Sequence, residues 1–309
     1  MKSLNFISRK WRFTAFMACF SLIANSSMAA KAPSSISVFD WTIAETLLSL
    51  EPDSASLGNI DAFHTWTGAE YKDTDITDIG IQTFPNMELL SNISPERILL
   101  SPSQTRLGQR LQDIAPTTII QSYPYVSNRH QSLWASLDAF TLEIGKAINQ
   151  REEAEKLISN TRSHLDALKN EITPQPPLLI VQLVNEHYVR VYGDNSMFQG
   201  VLKQLGLSNA WTEKTNQWGY SLVSIRELFN VEEARLVVLE SAFPVGIENR
   251  IDTSGMWRYL PSVQRDDYVV LPSTFWIAGV HPSALRFAES LVEALAAPAE
   301  PEPAASSGH

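Results

Sequence analysis

Between Gln131 and Ile172 the chain reads QSLWASLDAFTLEIGKAINQREEAEKLISNTRSHLDALKNEI, with no proline and a single glycine, Gly145. Leu133, Leu137, Phe140, Ile144 and Ile148 recur at helical spacing. After a polar interruption at Asn149, Gln150 and Arg151, the pattern resumes with Ala154, Leu157, Ile158, Leu165, Leu168 and Ile172. Both runs read as amphipathic helices with one apolar face. Glu153 with Lys156, and Arg162 with Asp166, sit three and four residues apart and suit the solvated face. Pro174, Pro176 and Pro177 then stop the run, because proline lacks the amide donor and restricts the residue before it. On either side short strands alternate with helices, the pattern of parallel sheets with right-handed crossovers. The spacing predicts an α/β fold of two lobes joined by a long helical connector, with a ligand cleft between them.

Working outward, the boundaries follow. Lys2, Arg9, Lys10 and Arg12 precede the apolar run Phe13 to Ile23 and the small residues from Ser26 to Ala32. That order reads as a signal peptide over residues 1–30, cut near 29–32. The apolar run is too short to span a bilayer. Arg9 and Lys10 approximate a twin-arginine leader but lack the second arginine, so both export routes stay open. Cys19, the only cysteine, lies inside the run and leaves with it; the mature chain is expected to hold no thiol or disulfide. The expected units are a first lobe over 31–130, the connector over 131–173, a second lobe over 174–296, and a low-complexity, disordered tail over 297–309. Net charge is −10, and residues 1–29 carry four positive charges and no acids, so their removal leaves −14. That argues against nucleic acid and anionic membrane as partners.

In the first lobe, strands are expected at 36–39, 55–60, 98–100 and 118–121. Helices are expected at 41–50, with Thr42 as N-cap, at 87–92 and at 107–114. The polar, aromatic-dotted stretch 61–75 reads as loop. In the second lobe, 178–183 is a buried strand and 188–192 its hairpin partner. Ser196 caps a helix at 197–205, 234–239 and 268–271 are strands, and 281–296 is the closing helix with Pro282 in its first turn.

The run Asp78-Ile-Gly, then Pro-Asn-Met-Glu-Leu-Leu and Pro-Glu-Arg-Ile-Leu through residue 99, resembles the first-lobe signature of type III periplasmic binding proteins. These carry iron-siderophores, haem or vitamin B12. Gly193-Asp-Asn-Ser-Met-Phe, Asn209-Ala-Trp, Asn216-Gln-Trp-Gly and Val223-Ser-Ile resemble the ferric-hydroxamate (FhuD-like) branch more closely. The resemblance spans roughly residues 36 to 296. It implies a periplasmic, monomeric protein that takes a ferric siderophore and passes it to an inner-membrane ABC permease. The iron arrives inside its chelate, so no cofactor or protein metal ligand is implied.

The resemblance also places Trp66, Trp218 and Trp276 on the cleft wall. Where the branch uses an arginine and a tyrosine to bond hydroxamate oxygens, this chain has Gln82 and Gln104, which donate without charge or fork. Tyr188, Arg190 and Tyr192 alternate along one strand and share a face. Arg190 stands where the branch has an apolar residue. If that face meets the cleft, the cation has changed lobes and suits a citrate-type or mixed carboxylate-hydroxamate chelate. Tyr220 and Phe275, beside Trp218 and Trp276, are further contact candidates. Trp211 reads equally as wall or core; Trp41, Trp134 and Trp257 read as core. Glu227 on the second lobe is the candidate for permease docking. On the first lobe the branch's acid falls on Gln109, so Glu88 or Asp113 must substitute. Haem or vitamin B12 is the alternative cargo, with Tyr71 or His64 serving as the haem ligand. A secreted hydrolase is the competing class, but G-x-S-x-G, Walker, H-E-x-x-H and G-x-G-x-x-G motifs are all absent.

Overall fold

The computed structural model describes residues 35–50, 54–68, 70–121, 132–185, 187–240, 255–272 and 274–296. The expected leader and tail lie outside these residues. The first lobe runs β1 Ser35–Val38, α1 Trp41–Leu48, β2 Ser54–Leu57, α2 Ile60–Thr67 and β3 Ile76–Asp78. A short hairpin follows, β4 Gly80–Ile81 with β5 Phe84–Pro85, then α3 Met87–Ile93, β6 Arg97–Leu100, α4 Thr105–Gln112 and β7 Thr117–Ile119. Two helices follow, α5 Leu133–Ala147 and α6 Arg151–Lys169. The second lobe runs β8 Leu178–Leu183, β9 Tyr188–Tyr192, α7 Met197–Leu205, β10 Tyr220–Ser224, β11 Arg235–Leu239, α8 Pro261–Gln264, β12 Tyr268–Leu271 and α9 His281–Ala296.

The first sheet has the order β3-β2-β1-β6-β7 and is parallel throughout. The second has the order β10-β9-β8-β11-β12, with β9 antiparallel to both neighbours. Parallel strands put every βα loop of the first lobe at one edge, the usual place for a ligand in α/β sheets.

Three local expectations change. Asp40, not Thr42, caps α1, its carboxylate accepting from the amides of Thr42 and Ile43. That frees the Thr42 hydroxyl for the second lobe. The stretch 61–75 is not all loop: α2 forms there because Phe63 and Thr67 present one buried face. Residues 78–86 hold the β4-β5 hairpin, entered through Gly80 at φ 88° with the Asp78 carboxylate accepting from its amide.

The connector is two packed helices. Asn149, at φ 60°, reverses the chain. A Cβ on Gly145 would lie 2.6 Å from that of Ala154, so glycine is what lets α5 and α6 close together. Arg162 reaches back to Asp138. α6 has 19 residues, covers about 28 Å and packs on α7 and α9 of the second lobe, while α5 packs on both α1 of the first lobe and α7 of the second.

One apolar core runs through both lobes. It takes Val38, Leu47 and Phe63 from the first, Leu137, Phe140 and Leu165 from α5 and α6, and Ile180, Phe198 and Phe287 from the second. Separate clusters fill the outer faces, around Leu90 and Leu111 in the first lobe and around Val181, Val238 and Trp257 in the second. Lobes that share a core can close only by small shifts. Among the described residues no helix is long and apolar enough to cross a membrane.

Candidate functional site

The loops at the strand ends of the first sheet converge on Gly58. The Trp41 indole N–H donates to its carbonyl at 3.1 Å. The hairpin carrying Gln82 lies so close that a Cβ on Gly58 would stand 3.3 Å from Cα and Cγ of Gln82. Gln82 is thereby held against Gly58, whose carbonyl the Trp41 indole holds. One loop further on, the Ser101 amide donates to Oε1 of Gln104 at 3.1 Å. The acceptor end of that amide is thus occupied, and its NH2 group is left to donate.

Trp276, in the loop between β12 and α9, enters this edge from the second lobe. Its ring stands edge-on between two first-lobe indoles, 5.3 Å from Trp41 and 5.3 Å from Trp66. Its Nε1–H donates to Oγ1 of Thr42 at 3.1 Å, and Thr42 donates onward to the Ala278 carbonyl at 3.1 Å. Its backbone N–H donates to Ser283 Oγ at 2.7 Å. Ser283 in turn donates to the Glu45 carboxylate, at 2.6 and 2.8 Å from its two oxygens.

Glu45 is wholly buried and also pairs with Arg286, which donates to the Thr274 carbonyl at 2.7 Å. Burial pushes the Glu45 carboxyl up, against the pull of Arg286 and Ser283. Gly279 closes the assembly, because a Cβ there would stand 2.3 Å from Cβ of Ser283 and 2.7 Å from a Glu45 oxygen. Glu45 and Thr42 of α1 thus fasten the Trp276 loop across the lobes. The loop itself gives no local hint of these partners, which lie some 230 to 240 positions away in sequence. The legible signal was Glu45 itself, the one charge in α1.

On the second sheet, Gln182, Arg190 and Tyr192 share the inner face. Tyr192 is buried, and its hydroxyl donates to Oε1 of Gln182 at 3.0 Å. Burial pushes that phenol up. Nη1 of Arg190 donates to the same Gln182 oxygen at 3.0 Å, and the guanidinium carbon lies 5.1 Å from the Tyr220 ring centroid. Trp218 stands 44% exposed on the turn before β10, its amide bonded to Asn216. Gly219, at φ 80°, lets that turn press on Ser196.

The expected site residues therefore separate. Trp66 and Trp276 meet directly, with Gln82 and Gln104 on neighbouring loops of the first-lobe edge. Arg190 and Tyr220 form a second group, and Trp218 is exposed two residues before Tyr220. Two expectations are corrected, for Phe275 and Tyr192, and the open reading of Trp211 is resolved. Phe275 is only 2% exposed, because its ring is used in the core between Phe198 and Phe287. Tyr192 backs the inner face from beneath instead of lining it. Trp211 packs on the outer cluster of the second sheet and donates its indole N–H to Ser221, so it is core and not wall. Tyr71 is buried with its hydroxyl on Ser49, which removes it as a ligand for haem iron. Among the described residues no three His, Cys, Asp or Glu side chains group to hold a metal ion.

Comparisons with known proteins match this architecture. The iron(3+)-hydroxamate-binding protein FhuD of Escherichia coli (strain K12) is 26% identical over 300 residues, 96% of this chain and 99% of that one. The Fe(3+)-citrate-binding protein YfmC of Bacillus subtilis (strain 168) is 22% identical over 192 residues, 62% of this chain and 58% of that one. Among solved structures, FhuD from Vibrio cholerae with bound Fe3+–Desferal superposes with a TM-score of 0.75 at 24% identity, covering 85% of this chain and 98% of that one. The family profile described as "Periplasmic binding protein" matches residues 36–274, from β1 to the Trp276 loop. With two α/β lobes, a helical connector and that match over most of its length, the chain belongs to the periplasmic binding protein family.

Proposed function

We propose that the protein is the periplasmic binding component of an ABC importer and carries a ferric siderophore, of hydroxamate or mixed carboxylate-hydroxamate type. The observation that carries the reading is the contact of Trp66 and Trp276, one indole from each lobe, at the loop edge that also carries the amide side chains of Gln82 and Gln104. Flat apolar rings suit a bulky chelate whose outer surface is largely hydrocarbon, while a few donors meet its oxygens. The metal comes already wrapped by its chelator, so recognition falls to rings and donors. Trp218 and Tyr220 extend the surface on the second lobe. The names of the relatives support the same cargo class.

The shared core favours a small closing motion, which a permease would read through the outer lobe surfaces. Glu88 and Glu227 are both exposed, and Glu227 is steadied by Asn230 at 3.1 Å. They are the proposed contacts for cationic pockets on the permease.

The test is a titration of the mature protein's tryptophan emission. Ferric Desferal and ferric citrate are added separately, with the iron-free chelators as controls. Saturable quenching by a ferric chelate at submicromolar concentration, absent with the iron-free form, is expected. No quenching by either chelate, or turnover of a hydrolase substrate instead, would overturn the reading.

A further inference from the structure

Arg190 is a half-buried cation with no acid partner among the described residues. Its guanidinium has five N–H donors, and the structure gives it one protein acceptor, Oε1 of Gln182. That oxygen is already shared with the Tyr192 hydroxyl. Among the described residues no carboxylate lies within ion-pairing distance of Arg190. Other half-buried arginines also spend their donors on protein: Arg235 on Asp267 and Gln175, Arg286 on Glu45 and the Thr274 carbonyl, and Arg97 on the Thr118 hydroxyl. A part-buried guanidinium with unused donors costs free energy until an acceptor meets them.

The group is also fixed in place. Gln182 is buried at 2% exposure and anchors one edge of the guanidinium, while the Tyr220 ring backs its face. Its remaining donors therefore have a set direction. A line of buried ring contacts runs from beneath it toward the Trp276 loop. Tyr220 meets Tyr192 at 6.1 Å, Tyr192 meets Phe198 at 4.6 Å, and Phe198 meets Phe275 at 6.0 Å; Phe275 immediately precedes Trp276. Those rings are core; what joins the cation to the indoles is the sheet edge, because Arg190 pairs with Gln182 near the carboxyl end of β8, β8 runs parallel to β11 and β11 to β12, and the Trp276 loop leaves that same end of β12. The first lobe answers with uncharged amides, Gln82 and Gln104. Of these candidate contacts only Arg190, on the second lobe, is charged.

We infer that Arg190 is an anion-binding subsite, and that the chelate carried here presents a carboxylate to it. A planar fork matches a carboxylate through two parallel hydrogen bonds. The inference rests on the proposed cargo class and sharpens it to carboxylate-bearing ferric chelates.

The experiment measures binding of ferric citrate and of ferric Desferal, a trihydroxamate without a carboxylate, to wild type, Arg190→Gln and Arg190→Lys. Arg190→Gln is expected to weaken ferric citrate by about tenfold or more and ferric Desferal by less than about threefold. Arg190→Lys keeps the charge but not the fork, and should recover part of the loss. Ferric Desferal binding and the near-ultraviolet circular dichroism report that each variant is folded. Equal losses for both chelates, or no loss for either, would overturn the subsite. Wild type that binds ferric Desferal but not ferric citrate would also overturn it while leaving the proposed function intact. Wild type that binds neither would remove the proposed function itself.

Discussion

Replacing Glu45 by Gln is the perturbation with the largest consequence that the structure allows one to work out. The Glu45 side chain is wholly buried in α1, accepts from Ser283, and pairs with Arg286 of α9. Gln keeps the volume and some hydrogen bonding but removes the charge, leaving the Arg286 guanidinium buried beside the Tyr71 ring, 5.7 Å away. Removing one partner of a buried ion pair costs about 3–5 kcal/mol, because the other charge stays desolvated. For a domain of this size that corresponds to a fall in melting temperature of roughly 6–20 °C. The assay is urea denaturation followed by circular dichroism, with Glu45→Gln, Arg286→Met and the double variant in one cycle. The double variant leaves no unpaired charge, so it should lose less than the two single variants added together, by about 2 kcal/mol or more. A Glu45→Gln protein within about 1 kcal/mol of wild type, or strictly additive losses, would refute the reasoning that this pair fastens the lobes.

Four further outcomes are expected. Thr42→Val removes the acceptor of the Trp276 indole and should alter its near-ultraviolet dichroism while weakening ferric chelate binding about fivefold; the buried N–H left unpaired costs about 1–2 kcal/mol. Gly219→Ala meets both a left-handed φ and the Ser196 backbone at 2.6 Å, and should destabilise the Trp218 turn by about 1–3 kcal/mol in urea unfolding. Burial raises the phenols of Tyr71 and Tyr192, so the folded chain keeps protons that the unfolded chain releases. Their stabilising effect is complete below about pH 10 and declines above it, by about 1.4 kcal/mol per pH unit for each phenol. Melting curves from pH 9 to 11 should show the decline, and Tyr71→Phe should show a shallower one. Glu88→Lys and Glu227→Lys should leave chelate affinity within about twofold yet impair iron uptake through the permease, since exposed charges contribute little to the folded state; unimpaired uptake would count against docking at these acids.

Much of the architecture was legible because it is written in local pattern. The apolar spacing of Leu133 to Ile172, the buried run Leu178 to Leu183 and the capped helix after Ser196 each fix an element within a few residues. Trp66 and Trp276 stood out because indoles in polar, glycine-bearing loops need a reason. What stayed hidden depends on distance in sequence. Thr42 looks like an N-cap from its neighbours, and only the second lobe reveals that its hydroxyl serves Trp276 and Ala278. Phe275 and Trp276 are indistinguishable in sequence, yet one ring packs in the core on Phe198 and Phe287 and the other meets Trp41 and Trp66. The α5-α6 reversal was obscured because an interruption of three polar residues fits a kinked rod as well as a hairpin. The close approach of Gly145 to Ala154 shows which it is.

The most direct measurement is an iron anomalous difference map from crystals grown with a ferric chelate that quenches the tryptophan emission. The expected result is one strong iron peak on the inner face between the lobes, with chelate atoms against Trp66 and Trp276. A peak on an outer lobe surface, or a well-occupied chelate that touches neither indole, would contradict the central claim.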